Sequence, residues 1–351
     1  MKRVRAGVLS AGSWSEGSHL PELAGRSDVE LVVVTRPDVV QAKRVASKFG
    51  AERFETDWHR ALEMELDVVV VSSPPAAHEE QVVAALEAGA HVLCEKPFAL
   101  TAASAWKMVD TAKRVNRQLL VGLGWVATPV FQQAHDEIKG GELGALEHVM
   151  MHLAVDTRAL LGGSTAGTWP GATESELATY SDPAVSGGGA AAVSMSHQFG
   201  MLLWLLGRPV ETIHAQTFPR AERLDLHVAS VVTFPGEASG SVSCASTHPY
   251  SARPQWYFAA YGSSGQIWLD SMSDELRLVR ADGSCVENER SGGEGAYRAS
   301  APTAALVEAA LGREPCDGYS GELSARVVEI TEALYASARR GEPVTVERRE
   351  W

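Results

Sequence analysis

The sequence predicts an α/β protein: an N-terminal doubly wound parallel sheet, followed by an α+β domain built on a large open, mostly antiparallel sheet. Three observations predict it. Apolar runs of strand length alternate with helical stretches from Val4 to about Gly124, the arrangement that crossover helices and a parallel sheet require. Those runs are continuously apolar rather than alternating, as strands covered on both faces are. From Glu211 to about Val286 the pattern changes to period two, as in an antiparallel meander. The division falls at Gly124, giving domains over 1–124 and 125–351.

Taken in order, VRAGVL runs through a turn into PELAG, and VELVVVT into VVQAKRVASKFG. After a short link come HRALEM, LDVVVVSS with HEEQVVAALEAG, HVLCEK with TAASAWKMVDTAKRVN, and QLLVGL. This order is Rossmann-type on pattern alone. A helix is expected near Pro129 to Lys139, then the glycine-rich GGELGALEHVMMHLAV. The polar stretch from Thr157 to Gly189, with Trp169, Tyr180 and Asp182, reads as a long irregular loop, and long loops in compact domains are often binding elements. The apolar run Met201 to Leu206 ends at Gly207, as a buried helix with a glycine cap does. The segments LHVASVVTF, SGSVSCAST, WYFAAYG and GQIWLD read as successive strands, and the chain closes with an amphipathic helix and a short strand. Trp204, Trp256 and Trp268 lie in patterns that read as packing positions.

A chain of 351 residues, 45% hydrophobic and 21% charged, has the make-up of a globular protein with a substantial core. Its net charge of −13 disfavours nucleic acid and anionic membrane surfaces as partners. Cys94, Cys244, Cys285 and Cys316 lack the paired spacing of a zinc site or disulfide framework, so reduced thiols and no metal are expected. The N-terminus enters a strand pattern directly and no 18-residue apolar run occurs, so a cytoplasmic protein without membrane spans is expected.

The chemistry concentrates at strand tips. Glu95-Lys96-Pro97 follows the apolar run HVLC, and in a doubly wound sheet ligands sit outside the carboxyl ends of the strands, so an ammonium there points at a bound molecule. After the first strand, Ser10-Ala11-Gly12-Ser13-Trp14-Ser15 stands where the dinucleotide fingerprint G-x-G-x-x-G is expected, with only the middle glycine kept. Gly12 is the position whose missing side chain lets the backbone approach a pyrophosphate. Trp14 either covers the cofactor or anchors the turn. The second strand ends on Thr35 and Arg36, 23 residues after Gly12, where an NAD site usually places an acidic residue. A hydroxyl beside a guanidinium suits a 2′-phosphate, which favours NADP over NAD, with Asp38 still able to reach a ribose.

With these residues the chain resembles the glucose-fructose oxidoreductase, inositol dehydrogenase and rhizopine catabolism family, Gfo/Idh/MocA. The resemblance runs through the Gly12 turn, Ser72-Ser73-Pro74-Pro75 with His78, AAHEEQVVAALEAGAHVLCEKPFAL, GELGALEHV, GGGAAAVSMSHQFGMLLWLLG and EALYASARRGEPVTV. It implies NAD(P)-dependent oxidation or reduction of a secondary alcohol or ketone on a sugar, glycoside or cyclitol, with Lys96 catalytic. The family pairs an aspartate with a histidine four residues on; His197 matches the histidine, while Val193 stands at the aspartate, leaving Ser194 and Ser196 as the nearest polar groups. The arginine many relatives carry after the last Rossmann strand is replaced by Trp125 and Val126, which argues against an anionic substrate there. The expected cofactor contacts are Ser10, Gly12, Ser13, Trp14, Thr35, Arg36, Ser73, Pro74, His78, Glu95, Lys96 and Trp125. The expected substrate contacts are Lys96, Trp125, Asp156, Trp169, Tyr180, Ser194 and His197, with Asp182 a further hydroxyl ligand.

Two other functions fit the resemblance. One is a redox-neutral, NAD-dependent glycoside-cleaving enzyme working by transient C3 oxidation and elimination; the other is a catalytically silent dinucleotide- or sugar-binding member. A homodimer or homotetramer is expected, because an open sheet presents a face that must be covered.

Overall fold

The computed structural model describes residues 3–164, 173–219, 224–249, 252–288 and 297–351. Six strands form the first sheet: β1 (Val4–Leu9), β2 (Val29–Thr35), β3 (Arg53–Glu55), β4 (Val68–Val71), β5 (His91–Cys94) and β6 (Leu119–Val121). They are all parallel, in the order β3-β2-β1-β4-β5-β6. That is the Rossmann order, with the strand direction of winding reversing between β1 and β4. The four valines of β4 are fully buried because helices cover both faces; each contributes roughly 1.5–3 kcal/mol by leaving water. The short β3 lies in the stretch the sequence reads as a link, with one exposed and two half-buried residues, too few to show a period.

The second sheet, among the described residues, has nine strands. They are β7 (Leu146–Ala154), β8 (Thr212–Phe218), β9 (His227–Thr233), β10 (Ser239–Ala245), β11 (Gln255–Gly262), β12 (Gly265–Asp270), β13 (Glu275–Arg280), β14 (Cys285–Glu287) and β15 (Val344–Thr345). Their order is β14-β13-β12-β11-β7-β10-β9-β8-β15, antiparallel except that β7 and β10 run parallel. One face packs against the helices Met195–Leu206 and Gly321–Arg340. The other presents Val231, Tyr261 and Trp268 outward. Trp268 is therefore not the packing residue the pattern suggests: it is 38% exposed and stacks on Tyr257 across the strand pair. The helix Ala301–Ala310 returns to pack on β4, β5 and β6.

The polar stretch from Thr157 to Gly189 is not an irregular loop where it is described. It forms the helices Arg158–Leu161, Glu174–Ser181 and Pro183–Ser186. The residues that read as loop are helix caps: Thr173 and Glu176 close a reciprocal capping box, and Asp182 accepts from the Ala184 amide. No helix among the described residues is long and apolar enough to cross a membrane.

Candidate active site

A cavity of about 460 Å³ opens at the carboxyl ends of the first sheet's strands. The turn after β1 enters it through Ser10, Gly12, Ser13 and Trp14, the tip of β2 through Arg36, the end of β4 through Ser72 to Pro75, and the end of β5 through Glu95 and Lys96. Each follows a buried apolar strand that stops where its neighbours stop, so the polar residues after the last valine or cysteine fall on one crevice.

The eroded fingerprint keeps the geometry of an intact one. Ser10 has φ +56°, taking the left-handed conformation a first glycine would supply, at a strain of order 1 kcal/mol. Thr35 holds the turn: its Oγ1 accepts from the Ser10 amide (3.0 Å) and its carbonyl from the Ala11 amide (2.9 Å). A Cβ added to Gly12 would come within 2.6 Å of Glu176 Oε1, the far end of a flexible side chain, so the Glu176 carboxylate lies directly against the turn. Glu176 accepts from the Ser13 amide (2.8 Å) and Ser13 Oγ (2.7 Å), and its Oε1 lies 3.3 Å from Arg36 Nη2. Arg36 also faces Glu16, at 3.8 Å.

Glu95 is the electrostatic centre. Its carboxylate accepts from Trp14 Nε1 (3.0 Å), His19 Nε2 (2.9 Å) and the Lys96 amide (3.0 Å), and it packs where a Cβ on Gly122 would otherwise stand. Burial works against the charge, but the His19 bond and charge, Lys96 and Trp14 outweigh it and pull the pKa down to about 2. His19 is in turn held by Thr303 Oγ1 at 2.7 Å, from the helix that packs back on the sheet. Lys96 opens onto the cavity with its Nζ 6.0 Å from the Trp14 ring centroid. Burial lowers its pKa from the ordinary lysine range, with the Glu95 charge opposing.

His197 faces Lys96 across the same cavity from the helix Met195–Leu206. Glycines deliver it: Gly188 has φ +145°, and a Cβ on Gly189 would strike the backbone of Asp225. Asp225 accepts from the amides of Gly189 and Ala191 and from Tyr335 Oη, which fixes the turn. His197 Nδ1 is buried without a hydrogen-bond partner among the described residues, and Val193, one turn back, lines the cavity with an apolar surface. Burial, and after it the Lys96 charge, hold the His197 pKa well below its usual value, so the ring is a neutral acceptor at neutral pH.

Aromatic rings build the remaining wall. Trp125 meets Trp256 (4.5 Å between centroids) and Tyr297 (5.2 Å), and Tyr297 meets His197 (5.4 Å). Tyr297 donates to the Gly122 carbonyl at 2.7 Å. Burial pushes the phenols of Tyr180 and Tyr297 far up, so both stay protonated.

Of the residues singled out in the sequence, Ser10, Gly12, Ser13, Trp14, Arg36, Ser73, Pro74, Glu95, Lys96, Trp125, Tyr180, Ser194 and His197 come together on this cavity. Four do not. Thr35 lies beneath the Gly12 turn as its brace. His78 is fully buried, its ring nitrogens facing the carbonyls of Ser73 (2.8 Å) and Phe98 (3.1 Å), so it ties two strand-end turns together instead of meeting a ligand. Asp156 bridges to Thr247 beside the second sheet, and Asp182 caps a helix. Asp38, similarly, caps the helix Val39–Phe49 through the Gln41 amide. Trp169 lies outside the described residues. Sequence reasoning missed Glu176 and Tyr297, both of which line the cavity. Trp256 is the packing residue its strand pattern predicts, fully buried against Trp125 and Phe131, and it lines the cavity as well.

The chain matches a family model described as an oxidoreductase family with an NAD-binding Rossmann fold over residues 4–123, and a GFO/IDH/MocA C-terminal domain over residues 131–268. It belongs to the Gfo/Idh/MocA family. Among its relatives in that family is the D-glucoside 3-dehydrogenase of Escherichia coli strain K12, 31% identical over 219 residues, which are 62% of this chain and 58% of that protein. The matches with this and two further relatives take in 58%, 51% and 44% of those proteins, so the chain spans about half the length of the curated relatives it matches. Two solved structures share the Gfo/Idh/MocA fold over 99% of this chain and 100% of their own, each at 21% identity: an oxidoreductase domain protein from Kribbella flavida (TM-score 0.81) and levoglucosan dehydrogenase in complex with NADH and levoglucosan (TM-score 0.80).

Proposed function

We propose that the protein is an NAD(P)-dependent oxidoreductase that passes hydride between a nicotinamide and a secondary alcohol or ketone of a sugar, glycoside or cyclitol. The observation that carries this reading is that one cavity is lined both by the Gly12 turn with Arg36 and by Lys96 and His197. The residues present fit a dinucleotide: an amide and a hydroxyl of Ser13 already hold an anionic group, Arg36 stands beside them, and the buried Ser73 Oγ has no hydrogen-bond partner among the described residues. Gly12, Ser13, Arg36 and Ser73 would hold the cofactor, which when bound supplies the hydride acceptor or donor. Residues 1–124 are the dinucleotide-binding domain in this reading, and 125–351 the substrate-binding one.

The chain's own part is to hold an oxygen and move a proton. The Lys96 ammonium hydrogen-bonds the reacting oxygen and stabilises the charge on it, in a site walled from water by Trp125, Trp256 and Tyr297. The unpartnered Nδ1 of the neutral His197 holds the proton that the hydroxyl gives up. Without a carboxylate at 193, its acceptor strength comes from position and the absence of a competing donor. The aromatic wall suits the C–H face of a pyranose. The names of the D-glucoside 3-dehydrogenase relative and the levoglucosan complex support a glucoside-like substrate.

NADP is proposed over NAD, because Arg36 at the tip of β2 can exchange its carboxylate partners for a 2′-phosphate. The outward apolar face of Val231, Tyr261 and Trp268 supports association of two or four copies. Four cysteines without disulfides support a cytoplasmic setting. The deciding experiment follows absorbance at 340 nm while glucosides, free sugars and cyclitols are supplied with each dinucleotide. A steady change that Lys96→Met removes supports the reading. Glycoside cleavage with no net change in absorbance replaces it with the redox-neutral enzyme, and a tightly bound dinucleotide with no reaction on any substrate replaces it with the silent member.

A further inference from the structure

The cofactor reading places a diphosphate against the Gly12 turn, and that place is already taken by a group of the chain itself. The carboxylate of Glu176 accepts both the amide and the hydroxyl of Ser13, pairs with Arg36, and fills the space that a side chain on Gly12 would need. It comes from 163 residues away in sequence, on the helix Glu174–Ser181. Burial opposes its ionisation, and the hydrogen bonds from Ser13 and Thr173 more than offset this, holding its pKa below the usual carboxylate range. It is therefore an anion at neutral pH. A carboxylate and a phosphate cannot both accept one N–H from the same position, and two anions in a half-buried crevice repel.

We propose that Glu176 is a latch: it occupies the phosphate cradle as an internal anion, and the dinucleotide seats only after displacing it. The proposal rests on the cofactor reading above. Displacement does not strand the carboxylate, because Oε2 also accepts from the Thr173 amide (3.0 Å) within its own capping box, so the helix keeps its cap as it withdraws. Thr179 and Tyr180 on the same helix line the cavity. Withdrawal of the latch consequently moves part of the substrate wall. The closed latch also lowers apparent cofactor affinity by the fraction of time it is closed.

The test is the dissociation constant of NADH and of NADPH, measured by calorimetry on the wild-type protein, Glu176→Gln and Glu176→Ala, with circular dichroism and thermal melting to establish that each is folded. The isosteric glutamine keeps the helix cap if alanine loosens it. The latch predicts a dissociation constant lower by roughly tenfold in the folded variants, in the range of ordinary coupling between sites. Equal or weaker binding in the variants overturns the latch and leaves the cofactor reading standing. Failure of all three proteins to bind either dinucleotide overturns the cofactor reading and the latch together.

Discussion

Replacing Glu95 by glutamine tests the electrostatic centre of the site. Glu95 is 7% exposed and accepts three hydrogen bonds, and its pKa falls from the usual 4.5 to about 2. A shift of that size corresponds to ~3 kcal/mol of stability held by the ionised form. Because the folded pKa is depressed, the contribution is fully present above pH ~4.5, the unfolded value, and is lost as pH falls through the folded value near 2. Glu95→Gln keeps the volume and one acceptor oxygen but removes the charge that faces His19. Urea unfolding at pH 7 is expected to find the variant less stable by ~3 kcal/mol, and the gap should narrow to ~2 kcal/mol near pH 3.5, where the carboxyl of the unfolded wild-type chain has taken up its proton while the folded one is still ionised. Equal stabilities at pH 7, or a gap that widens in acid, would refute the reasoning.

Three further outcomes are expected. Lys96→Met lowers kcat by about 10²–10³-fold while leaving the dinucleotide dissociation constant within a few-fold of wild type, since the ammonium acts on the reacting oxygen; steady-state rates and calorimetry separate the two effects. The pH profile of kcat/KM for alcohol oxidation has an acid limb below pH 6.5, where the depressed His197 pKa lies, and an alkaline limb below 10.5, where Lys96 loses its proton. His197→Gln removes the acid limb, and an acid limb at or above 6.5 in the wild type would contradict the assignment. Arg36→Ala weakens NADPH binding by roughly tenfold or more relative to NADH, a hydrogen bond to a charged group being worth about 1.5–3 kcal/mol; an unchanged ratio between the two cofactors excludes Arg36 as the 2′-phosphate ligand.

Much of the architecture was legible because period and burial are local properties of the chain. The continuous apolar runs of β1, β2, β4 and β5 announce a sheet covered on both faces, and Glu95-Lys96 at a strand tip announces a crevice. What stayed hidden depends on distance. Nothing near Ser13 in sequence indicates that a carboxylate 163 residues on would reach its amide. The only local signal was the T-x-x-E spacing of Thr173 and Glu176, which marks a helix start where a loop was expected. His78 misleads for the opposite reason: it opens a helix beside the Ser73-Pro74 turn, as a ligand would, yet its ring is buried between two carbonyls, one of which takes its single N–H. Ser10 shows a residue type outvoted by its setting, held in a glycine-like conformation by Thr35.

The parallel pairing of β7 with β10 has an evolutionary consequence. After Ala154 the chain leaves the second sheet and does not rejoin it until Thr212, at the start of β8 near the far edge. That excursion carries Tyr180, Val193, Ser194 and His197, while every ladder register of the sheet is set by residues outside it. The turns between the helices of that excursion can therefore lengthen or shorten without rewriting a strand pair, provided the helix Met195–Leu206 that packs on the sheet is kept. Substitutions in that one stretch re-line the cavity at Tyr180, Val193 and Ser194 while the strand ladders of both sheets stay as they are.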